Sequence, residues 1–299
     1  MADSSWLTKF PVMERTDLLA IRKTLDEAYR EFSRSYGDPI ESFFDPLLRF
    51  LVWFEKLLLN SPWWAVIIAL TVLVYFASRS WKQCLGVIAA LMLIGYFGMW
   101  DNTMRTLSII TVCTLLSIFI GIPIGITMAR SDKVQAVVTP TLDIMQTMPA
   151  FVYLIPVVML LGIGKVPGVI AVVIYAVPPV IRLTNLGIRL VEKEVVEAAT
   201  AFGANSWQRL WDVQLPLAMP TIMAGINQTI MMALAMVVIA SMIGVKGLGQ
   251  PVLKSITNQY FTLGLFNGLA IVALAIIFDR VSQAYARRAH RHLERIESA

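Results

Sequence analysis

Residues 197–216 read EAATAFGANSWQRLWDVQLP, a polar and aromatic stretch between hydrophobic runs too long for the helices of a globular domain. Its own pattern is helix, glycine, helix. Val195, Ala198, Ala199 and Phe202 recur at helical spacing, Gly203 interrupts them, and Asn205 or Ser206 can cap a second helix carrying Trp207, Leu210 and Trp211. Leu215-Pro216 is expected to end the element, because proline cannot continue the hydrogen-bond ladder. Two short helices set at an angle and tethered between apolar spans form a candidate docking knob for a soluble partner.

The rest of the chain agrees with a membrane setting. Of 299 residues, 57% are hydrophobic and 15% charged, where a soluble domain has about a quarter of its residues charged; mean hydropathy is +0.69. The net charge of +5 needs no nucleic-acid partner, since the excess sits in short loops and the C-terminal tail. Cys84 and Cys113 lie in apolar runs without metal or redox spacing and read as small buried hydrophobes. No signal peptide is expected in residues 1–60.

Seven spans follow from the apolar runs: Leu57–Ser78, Gln83–Trp100, Thr106–Ala129, Thr139–Gly162, Val166–Gly187, one within Val213–Val245, and Ser255–Phe278. The second is short for a bilayer core of about 30 Å, and the fifth is broken by Pro178-Pro179. Arg280, Arg287, Arg288, Arg291 and Arg295 assign the tail to the cytoplasm. Counting back puts Arg79, Lys82, Arg130, Lys133 and the 197–216 loop on the same side, with only Arg105, Lys165, Lys246 and Lys254 in the opposite loops. An odd number of spans then places the N-terminus outside.

Residues 1–60 differ in kind. Asp17 can cap a helix with the apolar stripe Ile21, Leu25, Ala28, Tyr29 and Phe32, and Tyr36-Gly37-Asp38-Pro39 signals a turn. Asp45-Pro46 then starts a second helix, Leu47–Leu59, expected to lie in the membrane interface as an anchor. The organisation is therefore residues 1–60 as an amphipathic tail, 61–280 as the membrane domain with the cytoplasmic loop 192–216, and 281–299 as a basic tail.

Within the spans, Pro149, Pro156, Pro178 and Pro179 each remove a donor and bend a helix, as static kinks or as moving ones. Asp143 is a carboxylate near the cytoplasmic end of its span, and Arg182 can pair with it or snorkel. Asn227, Gln228 and Thr229 form the polar cluster of the sixth span, either lining a path or bonding between helices. No GxxxxGK[ST] phosphate loop is present: Gly164-Lys165 is followed by Val166. His290 and His292 lie in the basic tail and read as a solvated or lipid-facing helix, not a metal site.

Glu197-Ala198-Ala199, Gly203 and Val213-Gln214-Leu215-Pro216, at their spacing, resemble the EAA loop of ABC-importer membrane subunits; Val213 replaces the usual isoleucine. Gln146-Thr147-Met148-Pro149-Ala150-Phe151-Val152-Tyr153-Leu154-Ile155-Pro156, Val166-Pro167-Gly168, Ile174 to Thr184 and Gly244 with Gly247-Leu248-Gly249 resemble the permeases for glycine betaine, proline betaine, choline and related methylated amines. This resemblance covers about residues 95–280.

It implies an all-α type I ABC-importer helical bundle of about seven spans, in a bacterial inner membrane, that is not itself an enzyme. Glu197, Ala198, Ala199, Gly203, Leu215 and Pro216 would couple to cytoplasmic ATP-binding subunits. Those subunits would use ATP and Mg, and this chain would bind no cofactor. A separate extracytoplasmic protein would deliver the solute, since no aromatic cluster for a quaternary ammonium stands out inside the spans. The candidate translocation path is Gln146, Thr147, Pro149, Tyr153, Tyr175, Pro178, Pro179, Asn227 and Gln228. One loop per chain makes a permease homodimer the economical assembly. An ABC permease for another small solute, such as an amino acid, is the alternative, and an ion-coupled secondary transporter is a weaker one.

Overall fold

The computed structural model describes residues 12–297, with side chains described through residue 284, and among them every regular element is a helix. Helix α1 (Arg15–Asn60) leads into a hairpin of α2 (Trp63–Ser78) and α3 (Trp81–Tyr96). Then come α4 (Trp100–Arg130) and α5 (Asp132–Thr147), a 3-10 turn at Ala150–Tyr153, and α6 (Leu154–Leu161). Helix α7 (Lys165–Arg189) precedes the short α8 (Lys193–Ala201) and the long α9 (Ser206–Ile243). The described chain closes with α10 (Gly249–Asn258) and α11 (Phe261–Glu297).

Among the described residues, α4, α7, α9 and α11 are long and apolar enough to cross a membrane; counting the bent pairs α1–α2 and α5–α6 as one span each gives six. The 16-residue α3 is a further, shorter apolar helix. Helix α7 is the innermost, with 67% of its apolar window buried against 17% for α11. Its second half is gripped from two sides by glycines. A Cβ on Gly121 of α4 would fall 2.3 Å from Val180 Cγ1, and one on Gly125 2.6 Å from Thr184 Cβ. On the other flank, a Cβ on Gly225 of α9 would lie 3.1 Å from Val180 Cα. Helices in lipid gain nothing from hiding apolar surface, so close backbone approach at small residues supplies much of their attraction. The main core runs through α4, α7, α9 and α11, and reaches Leu51 of α1.

The turn between α9 and α10 is pinned against α4, where a Cβ on Gly247 would fall 2.5 Å from Thr106 Oγ1. Gly244 has φ +89°, and the Leu248 amide donates to Thr106 Oγ1 of α4 at 2.8 Å. Cys84 and Cys113 are both buried free thiols.

Several boundaries depart from the sequence expectation. Residues 36–39 make no turn and Asp45-Pro46 start no helix: α1 runs unbroken with Pro39 and Pro46 inside it. Nor does Asp17 cap it; the helix begins at Arg15, and Asp17 sits in its first turn. Tertiary contacts on both sides of the prolines offset their local cost. Before them, Tyr29 Oη donates to the Pro156 carbonyl and Ser33 Oγ to that of Met159 at 3.1 Å. After them, Leu51 and Glu55 are buried. Leu57 to Asn60 end α1 rather than begin a span, because the chain turns by 112° at Ser61-Pro62.

The expected fourth span is likewise two arms, bent by 110° where Met148 and Pro149 leave helical geometry. The seventh is divided at Gln259, whose left-handed φ of 57° ends α10 before α11 begins. Pro178-Pro179, by contrast, break α7 only slightly: Val177 before them keeps helical dihedrals of −71° and −30°. Trp100 belongs to the start of α4, not to the end of the second span. The tail arginines 287, 288, 291 and 295, with His290 and His292, lie outside the described side chains.

Candidate coupling loop and translocation face

The loop that joins α7 to α9 is built as helix, glycine, helix. Helix α8 has no buried residue. Glu197 and Ala198 are exposed and Ala199 is half-buried, so the tripeptide faces outward. Phe202 ends the helix at 93% exposure. Gly203 follows at φ +87°, with nothing within 4 Å of where a Cβ would be. Its requirement is therefore for backbone conformation, not for space.

Asn205 then caps the second helix: its side chain accepts from the Trp207 and Gln208 amides, and Gln208 Oε1 accepts from the Asn205 amide at 2.9 Å. Arg209 bridges the two helices, donating to Thr200 Oγ1 at 3.0 Å and Ser206 Oγ at 3.2 Å.

Leu215-Pro216 do not end this element. Residues Arg209–Gln214 form a π turn, with the Leu215 amide bonded to the Leu210 carbonyl, and the α-helix continues through Pro216 to Ala240. The wider turn just before Pro216 gives its ring room against the preceding carbonyls, so the helix can run on past it. Leu215 is buried with Ile188, Leu210, Ala218 and Ile222, whereas Pro216 is exposed. The loop is thus anchored through its second helix and free along its first. Between them and the ends of α4 and α7 lies a cleft of about 240 Å³ whose walls include Ala129, Arg189, Lys193, Glu197 and Gln214.

Arginines organise the same end of the bundle. Arg130, the last residue of α4, places its guanidinium carbon 5.2 Å from the centre of the Trp207 ring. Arg189, at the end of α7, donates to the Met128 carbonyl at 2.9 Å, Asp132 Oδ1 at 2.7 Å and Asn185 Oδ1 at 3.1 Å. Arg182 pairs with Asp143 across α7 and α5, so of the two sequence readings for this arginine the structure adopts the ion pair.

The candidate path residues separate into three places. Gln146 and Thr147 are exposed at the end of α5, and Pro149 is exposed at the corner after it. Tyr153 is buried beside that corner; its hydroxyl donates to the Met145 carbonyl and its ring meets Tyr175 edge-on, centroids 5.8 Å apart. Pro178 and Pro179 are buried inside the bundle and line no open face, the Pro179 carbonyl lying next to Gly225.

Asn227 and Gln228 border a cleft of about 450 Å³ between α9 and α11, with Pro220, Met223, Ala224, Met231, Ser282 and Gln283. Gln228 is exposed. Asn227 bonds between helices, donating to Asp279 Oδ1 at 2.9 Å and accepting from Ser282 Oγ at 2.7 Å. Sequence reasoning missed Asp279, a carboxylate ending the apolar run of α11 that reads as the start of a tail; it missed Arg130, Arg189 and Arg209 as contact-makers for the same reason, each reading as a loop charge.

Residues 121–291 match the family described as the binding-protein-dependent transport system inner membrane component. The chain is 49% identical over 231 residues to the glycine betaine/carnitine transport permease protein GbuB of Listeria monocytogenes serotype 1/2a (strain 10403S), covering 76% of this chain and 82% of that one. It is 49% identical over 239 residues to the glycine betaine/proline betaine transport system permease protein ProW of Escherichia coli (strain K12), covering 78% and 66%. To the glycine betaine transport system permease protein OpuAB of Bacillus subtilis (strain 168) it is 42% identical over 276 residues, covering 91% and 96%. Among solved structures it resembles an inward-facing MetNI methionine ABC transporter, with a TM-score of 0.57 at 19% identity over 64% of this chain and 95% of that one. At that identity the likeness concerns the fold alone.

Proposed function

The chain belongs to the binding-protein-dependent transport system inner membrane components and is a permease subunit of an ABC importer; from this premise we propose that it conducts glycine betaine or a closely related methylated amine. The relatives named above carry glycine betaine in their names and span most of this chain. Recognition is assigned to a separate extracytoplasmic binding protein. A quaternary ammonium has no proton to donate, and tight selection needs aromatic faces around it.

The observation that carries the mechanism is the half-anchored loop. Helix α8 exposes Glu197 and Ala198 and buries nothing, while Leu210 and Leu215 root the second helix in the bundle. Such an element can take up a partner's movement on one face and pass it to the spans on the other. The partner is a pair of ATP-hydrolysing subunits, each gripping one loop of a permease homodimer, with ATP and Mg bound there and not on this chain. Closure of the ATPases draws the two loops together and switches the access of a path between the two copies. Gln146, Thr147 and Pro149 on the open corner, and Gln228 on the open cleft, are the path candidates whose exposure suits that role. Loop charges support an extracytoplasmic N-terminus, with loop 192–216 and the C-terminus in the cytoplasm of a bacterial cell.

Reconstitution tests this reading. Vesicles holding the permease, the ATPase and the binding protein should take up glycine betaine only with ATP inside the ATPase-facing compartment. Uptake driven by an ion gradient with neither partner present would overturn it.

A further inference from the structure

Two routes lead from the loop's second helix into the spans. One is covalent, through the π turn Arg209–Gln214 into the rest of α9. The other is the contact of Trp207 with Arg130 at the end of α4. A π turn is a widened stretch of the ladder, found mostly as a single-turn bulge and often at functional sites. The planar guanidinium over an indole is a directional contact that a flexible ammonium reproduces poorly. Arg130 also lies one residue before Ser131, which caps α5 by accepting from the Val134 amide. The Trp207 contact thus sits beside the hinge between α4 and α5, and the far end of α5 is the exposed corner at Gln146, Thr147 and Pro149. Arg189 reinforces that hinge by tying α7 to Met128 and Asp132 on either side of it.

We propose that Arg130 and Trp207 are positioning residues for transport, forming the joint through which movement of the loop reaches the α4–α5 hinge. The proposal rests on the reading of the loop as the ATPase contact. Both side chains are exposed, and Arg130 has no ion-pair partner among the described residues. Their pairing therefore fills no core, and variants at either position are expected to fold. Coupling is read directly as the ratio of solute delivered to ATP hydrolysed.

The experiment uses the complete transporter, with its ATPase and binding protein, in vesicles, and records both ATP hydrolysed and glycine betaine delivered. Trp207→Ala and Arg130→Gln should each retain hydrolysis stimulated by loaded binding protein, yet deliver about two- to five-fold less solute per ATP, the range that loss of one cation–π contact allows. The double variant should be no worse than the poorer single, because both remove one contact. Trp207→Phe, which keeps a ring face, should recover most of the ratio. An unchanged ratio in both single variants, additive losses in the double, or equal losses in Trp207→Phe and Trp207→Ala would each overturn the joint. Failure of the underlying reading looks different: Gly203→Asp would then leave both stimulated hydrolysis and delivery at the parent level.

Discussion

Glu55, near the end of α1, and Lys165, at the start of α7, form an ion pair of 2.5 Å across 110 residues of sequence. The Glu55 side chain is 7% exposed and that of Lys165 27%, so the carboxylate depends on this partner for its charge balance. Together with the hydrogen bonds that Tyr29 and Ser33 of α1 donate to carbonyls of α6, the pair makes α1 part of the bundle and not a loose tail.

Removing one partner should cost more than removing both. Lys165→Met leaves a buried carboxylate unpaired, a penalty of about 2–3 kcal/mol for a pair with one member partly wet. Glu55→Leu with Lys165→Met should recover much of the loss. Thermal unfolding of the purified protein in detergent gives the ranking; a double variant as unstable as Lys165→Met would show that the pair has no such role.

Gly125 should tolerate no side chain. The Ile181 carbonyl, 2.8 Å from where its Cβ would be, is backbone and cannot rotate away. Gly125→Ala should destabilise by about 1–3 kcal/mol through forced separation of α4 and α7. Gly86→Ala in α3, where nothing lies within 4 Å, should be neutral or stabilising by up to about 1 kcal/mol. Equal thermal shifts in the two variants would remove the close-approach argument.

At Gly203 the limit is conformational. Asparagine accepts the left-handed region better than any other non-glycine residue, whereas a β-branched residue does not. Gly203→Asn should keep a substantial share of transport and Gly203→Val should lose nearly all of it, with both variants present in the membrane at parent level. Similar transport rates for the two would point away from backbone geometry at the loop's corner.

Asn227 is held by Asp279 and Ser282. Asn227→Asp sets two carboxylates together and should lower the thermal midpoint. Asp279→Asn in the same chain should relieve it by removing the repulsion. If Asn227 instead acts mainly on cargo in transit, the half-saturating concentration for uptake will move while the midpoint stays, and unfolding measured beside uptake separates the two.

Because Tyr29 and Ser33 contact α6 close to the Lys165 loop, a reporter fused near Arg15 should behave as extracytoplasmic and one inserted beside Lys193 as cytoplasmic. Protection of the Arg15 site from an impermeant thiol reagent, after its replacement by cysteine in intact cells, would reverse the assigned orientation.

What the linear chain determined by itself was whatever depends on composition and local spacing. The apolar runs declared a helical membrane protein, and the pattern from Glu197 to Pro216 declared a two-helix loop with Gly203 at its corner. Hydrophobicity and φ > 0 are properties of a residue and its immediate neighbours, so they are readable without a partner. Tertiary structure decided everything that depends on what lies across a gap. Prolines 39 and 46 predict two short helices, and only the contacts of Tyr29, Ser33, Leu51 and Glu55 make them one. Leu215-Pro216 predicts a stop that the preceding π turn removes. Pro178 and Pro179 read as helix-bending residues, and only Gly121, Gly125 and Gly225, closing around that half of α7, show how deeply they are buried. Asn227 had two readings, and only the fold shows that it bonds to Asp279 on another helix while bordering a cleft. A polar or small residue in a span has no meaning until its neighbour on the next helix is known, because lipid offers neither hydrogen bonds nor a hydrophobic force to assign its direction.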